Sequence, residues 1–75
     1  MLIKEFENAN CSVLTYYTIR SATRAKEIDQ FSVDYLAPFN TWSKQKALLT
    51  SYEHAKIIRV EAYNNALYIK AEVID

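Results

Sequence analysis

The stretch IIRVEAYNNALYIKAEVI, residues 57–74, decides the fold. Ile57 to Tyr63 and Ala66 to Ile74 are rich in β-branched and aromatic residues, and Asn64-Asn65 stands between them. Asn tolerates positive φ, so this pair can form a two-residue type I′ turn without glycine. Pairing Tyr63 with Ala66 then fixes the register. Ala62 meets Leu67, Val60 meets Ile69 and Ile58 meets Ala71 on one face. The other face pairs Glu61 with Tyr68, Arg59 with Lys70 and Ile57 with Glu72. One face is apolar throughout, so the register is self-consistent.

Before this hairpin, Pro38 disfavours helix at Ala37, and Asn40 or Thr41 is placed to cap a helix running to about Ala55. At 100° per residue Trp42, Gln45, Leu48, Leu49, Tyr52 and Ala55 share one face. Lys46, Thr50, Glu53 and His54 share the other. Toward the N-terminus, Ser12 to Arg20 favours a strand. Ser21 to Glu27 reads as a wide loop or a single helical turn. In Gln30 to Leu36, Phe31, Val33 and Tyr35 alternate with polar residues, which favours a strand. A helix begun at Ser21 or Thr23, burying Ile28, Phe31 and Tyr35, is the alternative for residues 21–36. Leu2 to Glu7 reads as a further short strand closed by a turn through Asn10.

The expected architecture is α+β: an antiparallel sheet of about five strands, β-β-β-α-β-β, packed on one α-helix in a single domain spanning residues 1–75. Its core would hold Leu2, Phe6, Val13, Tyr17, Ile19, Phe31, Val33, Tyr35, Trp42, Leu48, Leu49, Tyr52, Ile58, Val60, Leu67, Ile69 and Val73. A helix about 10 Å across covers two or three strands of such a sheet, so part of it is left for a partner or for curling. The face away from the helix would carry Ile3, Leu14, Tyr16, Ile57, Tyr63, Tyr68 and Ile74 among Glu5, Thr18, Arg59, Glu61, Lys70 and Glu72. A solvated sheet face is mostly polar, and tyrosine beside arginine is a composition enriched at binding hot spots.

Composition limits the chemistry. The 75 residues carry nine Lys plus Arg against nine Asp plus Glu, with no glycine, one cysteine and one histidine. The charge is also even along the chain: four basic and five acidic residues in 1–37, five and four in 38–75. A general nucleic-acid binder shows a basic excess, which is not found here. Without glycine there is no phosphate-cradling loop, dinucleotide fingerprint or nucleophile elbow. One cysteine excludes an internal disulfide and suits a reducing interior. No signal-peptide-like or membrane-length apolar stretch is present, which points to the cytoplasm, or the host cytoplasm if the protein is viral.

Among chemical groups, His54 reads as a surface histidine, and Cys11 as a small turn residue rather than a nucleophile partnered with it. Glu53 and His54 are adjacent and diverge on a helix, so they do not form a chelating pair. Glu27, Asp29 and Asp34 read as a solvated face or an edge guard. Neither catalytic residues nor a metal or cofactor site is expected. The candidate binding residues are Tyr16, Arg59, Tyr63, Tyr68 and Lys70, a protein interface on the outer sheet face. The pattern suits a non-enzymatic protein-binding module. Its size and composition fit a phage or mobile-element accessory protein that inhibits a host enzyme or defence complex by masking its surface. There are two alternatives: single-stranded nucleic acid stacked on the tyrosines of the same face, with Glu61 and Glu72 opposing phosphate, or a structural homodimer in which the tyrosine-bearing sheets or the edge strands of two copies pack together.

Overall fold

The computed structural model describes residues 1–9 and 14–74. Its elements, in chain order, are α1 (Ile3–Ala9), β1 (Thr15–Ser21), β2 (Lys26–Val33), α2 (Phe39–Ser51), β3 (Lys56–Tyr63) and β4 (Ala66–Val73). The fold is α+β, with two helices and one four-stranded sheet in the order β2-β1-β4-β3. The sheet is mixed: β1 pairs antiparallel with β2, β3 pairs antiparallel with β4, and β1 and β4 run parallel at the centre. Two expectations are thereby corrected. There are four strands among the described residues, not about five, and the sheet is not wholly antiparallel.

The missing strand is α1. Leu2 to Glu7 places Ile3, Phe6 and Glu7 at the i, i+3, i+4 spacing of a helix face, with Ile3 and Glu7 buried and Phe6 packed against the core. Its first turn is held from several sides. Glu5 Oε1 accepts the Leu2 N–H at 2.8 Å, as in one half of a capping box. The N–H groups of Ile3 and Lys4 donate to the carbonyls of Ala55 and Glu53, both at 3.0 Å. Groups that a short helix leaves unpaired are thus satisfied by the connection between α2 and β3.

Residues 21–36 resolve as the strand reading, although β2 begins at Lys26 and Tyr35 lies in the turn beyond it. Helix α2 differs from expectation at both ends. Pro38 is its N-cap, with no side-chain cap bond, and it ends at Ser51. Its inward residues are Trp42, Gln45, Leu49 and Tyr52, while Leu48 is exposed. Lys46 leans inward instead, with its ammonium 5.7 Å from the centroid of the Tyr35 ring.

The closing hairpin keeps the expected register from Tyr63–Ala66 to Arg59–Lys70. There a bulge at Ile58 shifts it, so Ile57 faces Ala71 and Lys56 faces Glu72. The extra residue turns Ile57 toward the core and leaves Ile58 exposed. Val60, also expected inside, is 50% exposed, because α2 packs on β2 at the opposite edge of the sheet. Val13 lies outside the described residues. The core itself is Ile3, Tyr17, Ile19, Val33, Leu49, Ala55, Ile69 and Ala71. An aromatic row crosses it: Tyr17 stacks on Phe31 at 5.3 Å, and Phe31 on Tyr52 at 5.9 Å.

Lacking glycine, the chain uses other residues at its left-handed positions: Asn64 (φ 51°), Asn65 (φ 61°) and Ala25 (φ 54°). Asparagine bears this conformation readily, whereas alanine incurs a steric cost of about 1–2 kcal/mol. Ala25 ends the turn between β1 and β2, where the Arg24 N–H also donates to Ser21 Oγ at 3.1 Å. Ala25→Gly is therefore expected to stabilise the fold by about 0.5–1 kcal/mol, after the added freedom of glycine in the unfolded chain is subtracted. Urea midpoints of the two proteins at constant slope measure this.

Candidate functional site: the open face of the sheet

Both helices pack on the side of the sheet that carries Tyr17 and Ile19, and among the described residues the opposite face has no helix on it. Alternation along β1 sends Thr15, Tyr17, Ile19 and Ser21 inward, all buried, and sends Tyr16, Thr18 and Arg20 outward. The parallel register then places Tyr16 beside Tyr68, Thr18 beside Lys70 and Arg20 beside Glu72. On the far side of β4, Arg59 lies opposite Lys70, and Glu61 opposite Tyr68. All five candidate residues, Tyr16, Arg59, Tyr63, Tyr68 and Lys70, therefore stand on the same open face.

This face is zoned. At one end Tyr16 and Tyr68 stack with centroids 4.9 Å apart and planes 13° apart. Tyr63 leans on Tyr68 at 6.3 Å. Tyr16 and Tyr68 remain 40% exposed and Tyr63 65%, so the rings hold one another upright and still present surface. At the other end Arg20 meets Glu72 at 3.5 Å. Between the zones Arg59 pairs with Glu61. Shallow depressions flank Tyr68, one toward Arg59, Glu61 and Lys70, the other toward Gln30, Phe31 and Ser32.

The face is less apolar than the alternation suggests. Ile3 is fully buried in α1, Ile57 is turned inward by the bulge, and Ile74 extends past β4. What remains is a tyrosine cluster beside charged groups that mostly neutralise one another. Such a surface offers rigid contact area and hydroxyl groups with little net field.

The groups considered for chemistry lie elsewhere. His54 is exposed, its Nε2 3.4 Å from Glu53 Oε1. Cys11 lies outside the described residues. Asp34 Oδ1 accepts the Leu36 N–H at 3.0 Å, and Asp29 Oδ2 accepts the Tyr52 hydroxyl at 2.9 Å. Asp29 therefore joins strand to helix, where it was expected to face solvent. Among the described residues no group of three or more His, Cys, Asp or Glu is arranged to hold a metal ion. No helix there is long and apolar enough to cross a membrane.

Sequence reasoning missed a polar cluster in the core, because it placed Glu7 in a strand. Glu7 is only 7% exposed, and its Oε1 accepts the Tyr35 hydroxyl at 2.6 Å. Glu7 Oε2 and the Tyr17 hydroxyl are also buried, and neither sits at hydrogen-bonding geometry. Burial, then the charge of Glu7, push the Tyr17 phenol far above its ordinary value near 10. Burial and the bond to Asp29 raise Tyr52 as well. The spacing of Ile3, Phe6 and Glu7 is the available signal, and it is weak because an acid seldom belongs to a buried face.

No family model matches this sequence, and comparison with curated proteins and with solved structures finds no match.

Tyr17 leads to a prediction with a definite sign. A phenol whose folded pKa is raised contributes stability that is complete below its unfolded value, near 10, and is lost as pH climbs beyond it. Tyr17→Phe should leave neutral-pH stability unchanged or raise it by about 1 kcal/mol, since it removes a buried hydroxyl without a bond. It should also flatten the loss above pH about 10. Urea unfolding of both proteins between neutral and alkaline pH checks both effects.

Proposed function

We propose that the chain is a non-enzymatic protein-binding module of the cytoplasm. In this reading it acts by covering a surface of its partner with the open sheet face, in the manner of a masking inhibitor. The observation that carries this reading is the half-exposed Tyr16–Tyr68 stack with Tyr63 leaning on it, bordered by Arg59 and Lys70. Cross-strand stacking removes much of the rotamer freedom these rings would otherwise lose on binding, so the contact area is already organised. A phage or mobile-element accessory protein directed at a host enzyme or defence complex is the kind of protein this size and composition suit.

Single-stranded nucleic acid fits the same face less well. Stacking on tyrosine suits unpaired bases, but the cations that would follow a phosphate backbone are compensated locally. Arg59 is paired with Glu61, and Arg20 with Glu72. A neutral chain releases few counterions and gains little affinity from phosphate.

Two measurements separate these readings. Immobilised chain should capture a host protein, and Tyr68→Ala should weaken that capture by about tenfold or more while the circular dichroism spectrum is retained. A labelled single-stranded oligonucleotide should show no saturable anisotropy change at physiological salt. Capture unaffected by Tyr68→Ala would sink the open-face reading. Oligonucleotide affinity that falls steeply with added salt would favour the nucleic-acid one.

A further inference from the structure

The sheet ends on β3, and this edge is unusually bare. Ile58 through Tyr63 are all exposed, with Ile58 at 46% and Val60 at 50%. The backbone groups that face outward follow from the turn. Asn64 and Asn65 both have positive φ, as a two-residue type I′ turn requires, so Tyr63–Ala66 is the closing hydrogen-bonded pair. Counting back by two, Glu61 and Arg59 bond toward β4, while Ala62 and Val60 direct their N–H and C=O away from it. The other strand agrees: the Leu67 N–H, opposite Ala62, donates to Leu14 at 3.0 Å on the β1 side. At the start of β3 the edge is occupied, because the Ile57 N–H donates to the Met1 carbonyl at 2.8 Å and Leu2 bridges Lys56. The open stretch therefore runs from the bulge at Ile58 to the turn.

We infer that this stretch pairs, antiparallel and about a two-fold axis at Val60, with β3 of a second copy of the chain. Charge selects both the occupant and the register. With Val60 opposite Val60 of the second copy, each Arg59 faces a Glu61, once on either side of the axis. The two intrachain Arg59–Glu61 pairs thus merge into a group of four alternating charges. Shifting the axis to Glu61 sets two glutamates face to face, and shifting it to Arg59 sets two arginines face to face. An axis at Ala62 places Glu61 against Tyr63 with no charge to meet it. On the helix side the two Val60 side chains cover one another. The pairing joins two four-stranded sheets edge to edge and brings both tyrosine faces onto one continuous surface. It uses the edge, whereas the protein-binding reading uses the face, so the two stand or fall separately.

The test is molar mass by sedimentation equilibrium, from about 5 to about 500 μM. The unaltered chain should move from 8.7 kDa toward twice that mass. Val60→Pro removes an outward N–H that β4 does not use, and should abolish the dimer while preserving the strand signal in circular dichroism. Glu61→Arg opposes like charges twice and should raise the dissociation constant at least about tenfold. Arg59→Glu combined with Glu61→Arg restores opposite charges and should return it to within about threefold. Tyr68→Ala should leave it unchanged. A constant mass of 8.7 kDa overturns the proposal, as does a dimer indifferent to Val60→Pro or a double variant that fails to recover.

Discussion

The parallel contact between β1 and β4 is the constraint on which the rest depends. Each outer strand is joined to its neighbour by a local hairpin, β1 with β2 and β3 with β4. Neither two-stranded unit would be stable alone in water. Only the β1–β4 ladder, from Thr15–Leu67 to Ser21–Val73, fuses them into one sheet. It puts Tyr17 beside Ile69 and Ile19 beside Ala71, all at 2% exposure or less, and so forms the middle of the core. The same ladder stacks Tyr16 on Tyr68 on the opposite face. Core and candidate site are two sides of one pairing.

That pairing also explains where local sequence signals end. A two-residue turn carries its register in a few residues, which is why the β3–β4 hairpin can be read as far as Arg59. The bulge at Ile58 has no composition of its own; beyond it Ile57 packs against the core and Lys56 bridges Leu2. Parallel neighbours share no turn, so nothing local in β1 announces β4. Even so, alternation in each strand placed Tyr16, Tyr63, Tyr68, Arg59 and Lys70 on a common side, because the period of two holds whichever neighbour a strand takes. Faces were legible where partners were not.

The first segment failed for a different reason. A helix as short as α1 has little intrinsic stability and takes its form from what it docks against. Here the dock is the chain after α2, which accepts the Ile3 and Lys4 N–H groups, together with a core that admits Glu7 against Tyr35 and Tyr17. A buried carboxylate bonded to a phenol is poor as a hydrophobic contact but strict in direction. It ties α1 to the turn after β2 through a bond at 2.6 Å. Tertiary contacts of that kind outweigh the β-propensity of a few residues.

Coverage of the sheet then follows from lengths. Helix α2 packs chiefly on β2, through Tyr52 on Phe31 and Gln45 on the Asp34 N–H, and α1 sends Ile3 into the centre. A helix about 10 Å wide spans roughly two strands at 4.8 Å spacing, so α2, packed on β2, does not reach β3 at the opposite edge of the sheet. Natural edges of this kind are blunted by charge, bulges or a covering segment. The β3 edge has each of these, but they are unevenly placed. The covering Met1–Leu2 segment and the bulge protect only its first residues, and the charges beyond them alternate in sign. Alternating charge repels a strand in the wrong register and accepts one in the right register, so it works as a selector more than as a barrier. An edge built solely to refuse neighbours would repeat one sign; this one carries Arg59 and Glu61 on either side of Val60.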